Sequence, residues 1–163
     1  MEWRDSVKRV IIASMLCSTL LISGCSSNVE KSTSATKEGT NVTIKSDSVD
    51  AIVKADMKTL PEEYPKNLLP ISAEDKLTSV NEMTVNGNLS ITLEVESNKN
   101  TDELSNYYLT YIGGNNLVSS KSEKSLSITG ALKGDSKYTA SIVGKYNDNA
   151  KKFIYNIIVS FNK

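Results

Sequence analysis

Met83-Thr84-Val85-Asn86-Gly87-Asn88-Leu89-Ser90-Ile91-Thr92-Leu93-Glu94-Val95-Glu96 is the stretch on which the fold turns. From Leu89 onward apolar and polar residues alternate strictly, the period-two pattern of a strand with one buried and one wet face. Met83 and Val85 repeat that pattern before Asn86-Gly87-Asn88, so the whole reads as a hairpin. A two-residue Asn-Gly turn would set Val85 against Asn88, apolar against polar. A three-residue loop sets Val85 against Leu89 and Met83 against Ile91, which matches the faces, and it is the expectation taken here.

Downstream, Asn100 to Ile112 has the pattern of a helix. Asn100 is placed to cap it and Glu103 to reach back in a capping box. Leu104, Tyr107, Tyr108, Tyr111 and Ile112 fall on one stripe that suits packing on a sheet, and Gly113-Gly114 is expected to end the helix. Successive strands follow: a short one at Leu117-Val118, one carrying Leu126, Ile128 and Leu132, and one with Tyr138, Ala140, Ile142 and Gly144 on a face. The longest run alternates Phe153, Tyr155, Ile157, Val159 and Phe161. Lys133-Gly134-Asp135-Ser136 and Asn147-Asp148-Asn149-Ala150 read as turns.

A four-residue turn at 147–150 places Ile142 opposite Tyr155 and Val143 opposite Ile154, with Ile158 close by. Val143, Ile154 and Ile158 then form an apolar cluster on the back of the sheet, where polar residues are expected. Either the chain covers it, or it is a surface for a partner. The cover at hand is the stripe Val49, Ile52, Val53 and Met57, spaced as on a short amphipathic helix, the alternative being partly extended chain with Val42 and Ile44 in strand-like alternation.

Between that stripe and the hairpin, Pro61, Pro65 and Pro70 preclude regular helix and predict an extended lead-in packed by Leu60, Tyr64 and Leu68. Residues 26–40 are rich in Ser and Thr, with Val29 and Ala35 as their apolar members, and read as a tether. Domain limits follow: 25–46 as linker and 47–163 as one domain, of which 47–71 holds the helix and the proline segment. The expected class is α+β, one principal helix packed on an antiparallel, meander-like sheet of about five to six strands.

At the N-terminus, Arg4, Lys8 and Arg9 precede the apolar run Val10 to Ile22, which ends at Leu21-Ile22-Ser23-Gly24-Cys25. The run is too short to span a bilayer but suits a signal peptide. Its ending resembles a bacterial lipobox. That resemblance implies removal of residues 1–24, lipidation of Cys25, and a chain anchored on the extracytoplasmic side of the cell membrane. From Leu60 onward, Pro61, Pro65, Pro70, Tyr107, Tyr108, Gly113 and Gly114 resemble a recurrent class of small bacterial secreted domains of unassigned function. Asn115 and Asn116 stand where that class often has Trp. This second resemblance implies no chemistry.

Composition narrows the function further. The chain has no histidine and two cysteines, Cys17 in the apolar run and Cys25, which removes the usual Ser-His and Cys-His nucleophile arrangements and histidine-ligated metal sites. After Gly24 it carries 16 basic and 17 acidic residues, a balance with no electrostatic footprint for nucleic acid. Glu94 and Glu96 share a strand face and could serve a hydrolase as paired carboxylates, but they read more simply as a solvated face. Asn147-Asp148-Asn149 offers oxygens to calcium yet lacks the rest of an EF-hand loop. The resulting expectation is a lipid-anchored, non-catalytic protein without a cofactor, binding a protein or cell-envelope partner. A small carboxylate hydrolase and a small-ligand binder are the alternatives.

Overall fold

The computed structural model describes residues 30–36, 39–46 and 49–162. Among them are nine strands and one short helix: β1 (Glu30–Thr36), β2 (Gly39–Lys45), β3 (Asp50–Met57), β4 (Lys76–Val85), β5 (Asn88–Ser97), α1 (Thr101–Leu109), β6 (Ile112–Lys121), β7 (Ser125–Leu132), β8 (Asp135–Asn147) and β9 (Lys152–Asn162). They build one sheet in the order β1-β2-β3-β4-β5-β9-β8-β7-β6, with every neighbouring pair antiparallel. The chain meanders out through five strands, crosses by way of α1 to the far edge, and meanders back until β9 lies beside β5. This is a predominantly β protein, and the expected α+β domain with five to six strands and a principal helix is incorrect.

The error has a physical source. Residues 30–45, expected as a linker, are β1 and β2, and residues 50–57, expected as a helix, are β3. In β3 the helix-like spacing of Val49, Ile52, Val53 and Met57 is a by-product of a bulge. Asp56 has φ of 58° and the register shifts between Lys54 and Met57, so Met57 comes to face Val80 and packs on the core. Without that insertion the alternation of Ala51, Val53 and Ala55 would have read as a strand.

The core lies on one face. Leu89, Ile91, Leu93 and Val95 of β5 stand beside Phe153, Tyr155, Ile157 and Val159 of β9, then Ala140 and Ile142 of β8 and Leu126 and Ile128 of β7, all buried. Leu104 and Tyr108 of α1 cover this face, joined by Tyr64 and Leu69 of the proline segment. Burying these side chains stabilises the fold by roughly 1.5–3 kcal/mol each before entropy is subtracted. Gly144 faces Tyr155 across β8 and β9. A Cβ there would strike the Tyr155 Cβ and come within 2.7 Å of the Ile154 carbonyl oxygen.

Two sequence expectations meet different outcomes at this level. The capping box holds: the Glu103 amide donates to Asn100 Oδ1 and the Asn100 amide to Glu103 Oε2, both at 2.9 Å. Gly113-Gly114, however, lies within β6 and does not end the helix. Thr110 ends it, with its hydroxyl on the Tyr107 carbonyl at 2.6 Å and Lys133 Nζ on that of Leu109 at 2.6 Å.

The three-residue hairpin loop is also wrong. Val85 pairs with Asn88, and Asn86 and Gly87 form a two-residue turn with φ of 49° and 83°. That left-handed backbone matches the twist of the flanking strands, and it overrides face matching. Met83 and Val85 therefore point to the back of the sheet, while Glu82 points to the front.

Candidate functional site

Two polar places stand out, one inside the domain and one on its back. The inner one centres on Asp75, whose carboxylate is 0% exposed. Oδ1 accepts from Ser97 Oγ at 2.7 Å and Lys99 Nζ at 3.1 Å, and Oδ2 accepts from Tyr155 OH at 2.7 Å. The Tyr155 and Tyr108 hydroxyls are 2.8 Å apart. Lys99 also donates to Ser72 and Glu74, each at 3.0 Å. The network ties the end of the proline segment to β5, β9 and α1.

Burial pushes the Tyr155 and Tyr108 hydroxyls far above the usual phenol range; the Tyr108 charge adds to this at Tyr155, and its hydrogen bond to Tyr155 partly opposes it at Tyr108. Tyr107 is pushed up to about 12, by burial first and by Tyr111 next. For Lys99, desolvation lowers the value, but the hydrogen bonds to Glu74 and Asp75 outweigh it and the ammonium is held more firmly protonated than usual. Every group here has a partner, and no buried side-chain polar atom among the described residues lacks one. Ser97 donates its proton to a carboxylate already shared with Lys99 and Tyr155, so it has no base free to make it a nucleophile. The arrangement locks the end of the proline segment onto the sheet and the helix. Sequence reading missed it because Asp75, Ser97 and Tyr155 are brought together by sheet topology rather than by spacing.

The outer place is a shallow cleft of about 730 Å³ on the back of the sheet, beside the β8–β9 hairpin. Val143 and Ile154 line it with Lys145, Asn149, Asn156 and Asp148. Observed pairing sets Tyr146 opposite Phe153 and Val143 opposite Asn156, two residues along from the expected register, because the turn occupies 148–151. Faces are unchanged by a shift of two, so Val143 and Ile154 still share the back face. Ile158 is on the same face, opposite Ser141, outside the cleft. Val143 is 43% exposed. The expected cover is absent from this cluster, since residues 50–57 are strand β3, on the far side of β4, β5 and β9.

Around the cleft, Asp148 spends its charge on Lys124 through contacts of 2.8 and 3.1 Å, which holds its carboxyl below the usual range. Asn147 Oδ1 accepts the amides of Asn149 and Ala150, each at 3.0 Å, so this segment is a hairpin turn. Glu94 accepts from Thr78 Oγ1 at 2.8 Å and Glu96 pairs with Lys152 at 3.3 Å. Each carboxylate is thus engaged with its own neighbour, and both stand on the back face of β5. Among the described residues no cluster of His, Cys, Asp or Glu is arranged to hold a metal ion, and no helix is long and apolar enough to cross a membrane. Cys25, the expected lipidation site, lies outside the described residues. No protein-family profile, curated protein or solved structure matches the chain.

Proposed function

We propose that this protein is a membrane-anchored extracytoplasmic lipoprotein, held by lipid on Cys25, that binds a protein or cell-envelope partner and catalyses no reaction. The observation that carries the anchoring is the run from Arg4 to Cys25: basic start, short apolar segment, and Leu21-Ile22-Ser23-Gly24-Cys25 at its end. Supporting the binding reading is the back-face cleft, where exposed Val143 lies among the polar side chains of Lys145, Asn149 and Asn156. Exposed aliphatic side chains set among polar ones are a composition that protein recognition surfaces use.

The test has two arms. Mass spectrometry of the protein from bacterial membranes should find a diacylated Cys25 as the first residue, and Cys25→Ala should leave the membrane fraction while keeping its fold. An unprocessed N-terminus sinks the anchoring. For binding, partners crosslinked to the wild type in native membranes should be lost from Val143→Glu. An unchanged crosslinking pattern removes the cleft from the reading.

A further inference from the structure

We propose that the back face of the β1–β4 ribbon lies on the bilayer surface and sets the orientation of the domain; this rests on the lipoprotein reading above. The ribbon's strands β1–β3 have little core of their own, and β4 joins them to the core through Val80. The back face of the ribbon carries two apolar rows. One runs Thr33, Val42, Val53, Met83, and the other Lys31, Ile44, Ala51, Val85. Met83 is 46% exposed, and Val42, Ile44, Val53 and Val85 are half-buried. In these paired rows Lys31 is the one charged residue.

The front face of the same strands is different. It carries Glu30, Lys45, Asp50, Lys54 and Glu82 in the alternate rows. Within those two rows Lys31 is the exception, and its long stem can lie along apolar surface with its ammonium among lipid headgroups; Lys76, at the other end of β4, also faces the back, opposite Glu96. An acid-free apolar face with a lysine at its margin is complementary to a bilayer interface.

The position of the anchor selects the bilayer over other occupants. Five residue steps separate Cys25 from Glu30, and a chain of that length reaches at most about 17 Å. Glu30 begins β1 beside Lys45 and Asp50, so the row through Lys31, Ile44, Ala51 and Val85 is the one nearest the anchor. The acyl chains supply retention, and the face decides which way the domain sits. The proposed cleft, lined by β8 and β9, is two to four strand steps from β4 and β3. At roughly 20–25° of twist per step, the back face there is turned about 40–100° from that of the ribbon. One face can rest on lipid while the cleft remains open to the aqueous side.

The test uses the full lipidated protein in phosphatidylcholine–phosphatidylglycerol vesicles. After processing and acylation no cysteine thiol remains, so Met83→Cys and, separately, Val143→Cys each create a single site for a polarity-sensitive fluorophore. The expected result is a blue shift and quenching by spin-labelled lipid at position 83, and neither at position 143. An unshifted, unquenched probe at position 83 on protein shown by mass spectrometry to carry lipid overturns the orientation and leaves the lipoprotein reading standing. A blue shift that depends on protein density, with energy transfer between labelled copies and no lipid quenching, assigns the face to a second copy and overturns it as well. Absence of lipid on Cys25 overturns both.

Discussion

Glu82 points into the core side of β4, opposite Ile91, and its side chain is 8% exposed. Lys54 answers it across the strand pair at 2.8 Å. A paired buried carboxylate gains little over an apolar pair, but an orphaned one is costly. Lys54→Met should therefore destabilise the domain by about 3 kcal/mol, and the double variant Lys54→Met, Glu82→Leu should recover most of that. A thermodynamic cycle in urea reads both; additive losses would refute the coupling.

Tyr155 and Tyr108 make a second prediction at this scale. Their hydroxyls are held protonated in the folded state by burial, whereas in the unfolded chain they ionise near pH 10. A folded value above the unfolded one means the contribution is whole below about pH 10 and is lost as pH rises beyond it. Unfolding free energy should be flat across neutral pH and then fall, by about 1.4 kcal/mol per pH unit for each tyrosine. Tyr155→Phe should be less stable at pH 7 and show a shallower alkaline slope, measured by denaturant titrations between pH 8 and 11.

The strands that pack on the core were legible in sequence because a buried face writes its period into the residues. β5, the inner residues of β8, and β9 all show this, and so does the cap of α1 in Asn100 and Glu103. β1 and β2 have no core to face, so Ser and Thr fill them and their composition reads as tether. Side-chain parity alone predicts the wrong loop at Asn86-Gly87, because it leaves out the backbone of the turn. The turn itself carries more: the Asp50 amide donates to Asn86 Oδ1 at 3.0 Å and the Asn86 amide to the Asp50 carbonyl at 2.9 Å, tying the start of β3 to it. Gly87 has φ of 83° with nothing near its absent Cβ, so Gly87→Ala should cost about 1 kcal/mol through backbone conformation alone. Gly87→Asn should cost less than Gly87→Ala, since Asn tolerates the left-handed region, and thermal melts of the pair check the order. Of the candidate sites, Val143 and Ile154 could be found from strand parity. The Asp75 lock could not, since its members are joined only by the completed topology.

At the scale of the whole molecule, the sheet divides into a core of β4–β9 under α1 and the outer ribbon strands β1–β3, in which Ala51 is the one buried residue among those described. Deleting residues through 57 should leave a cooperatively folding domain of lower Tm. Adding Glu82→Gln to the deletion should return part of the loss, because the truncation strips Lys54 from a buried carboxylate. Loss of cooperative unfolding in the truncated chain would show that the ribbon belongs to the core. The topology also has a consequence for timing. β5 sits at the middle of the sheet, yet one of its two neighbours is β9, which follows every other described strand in the chain. The central seam therefore closes late, and until residues 152–162 are free the buried row of β5 lacks half its lateral support. Under the lipoprotein reading proposed above, a chain threaded through a translocation channel from its N-terminus would keep this seam open until the C-terminal strand had emerged, and folding would then follow export.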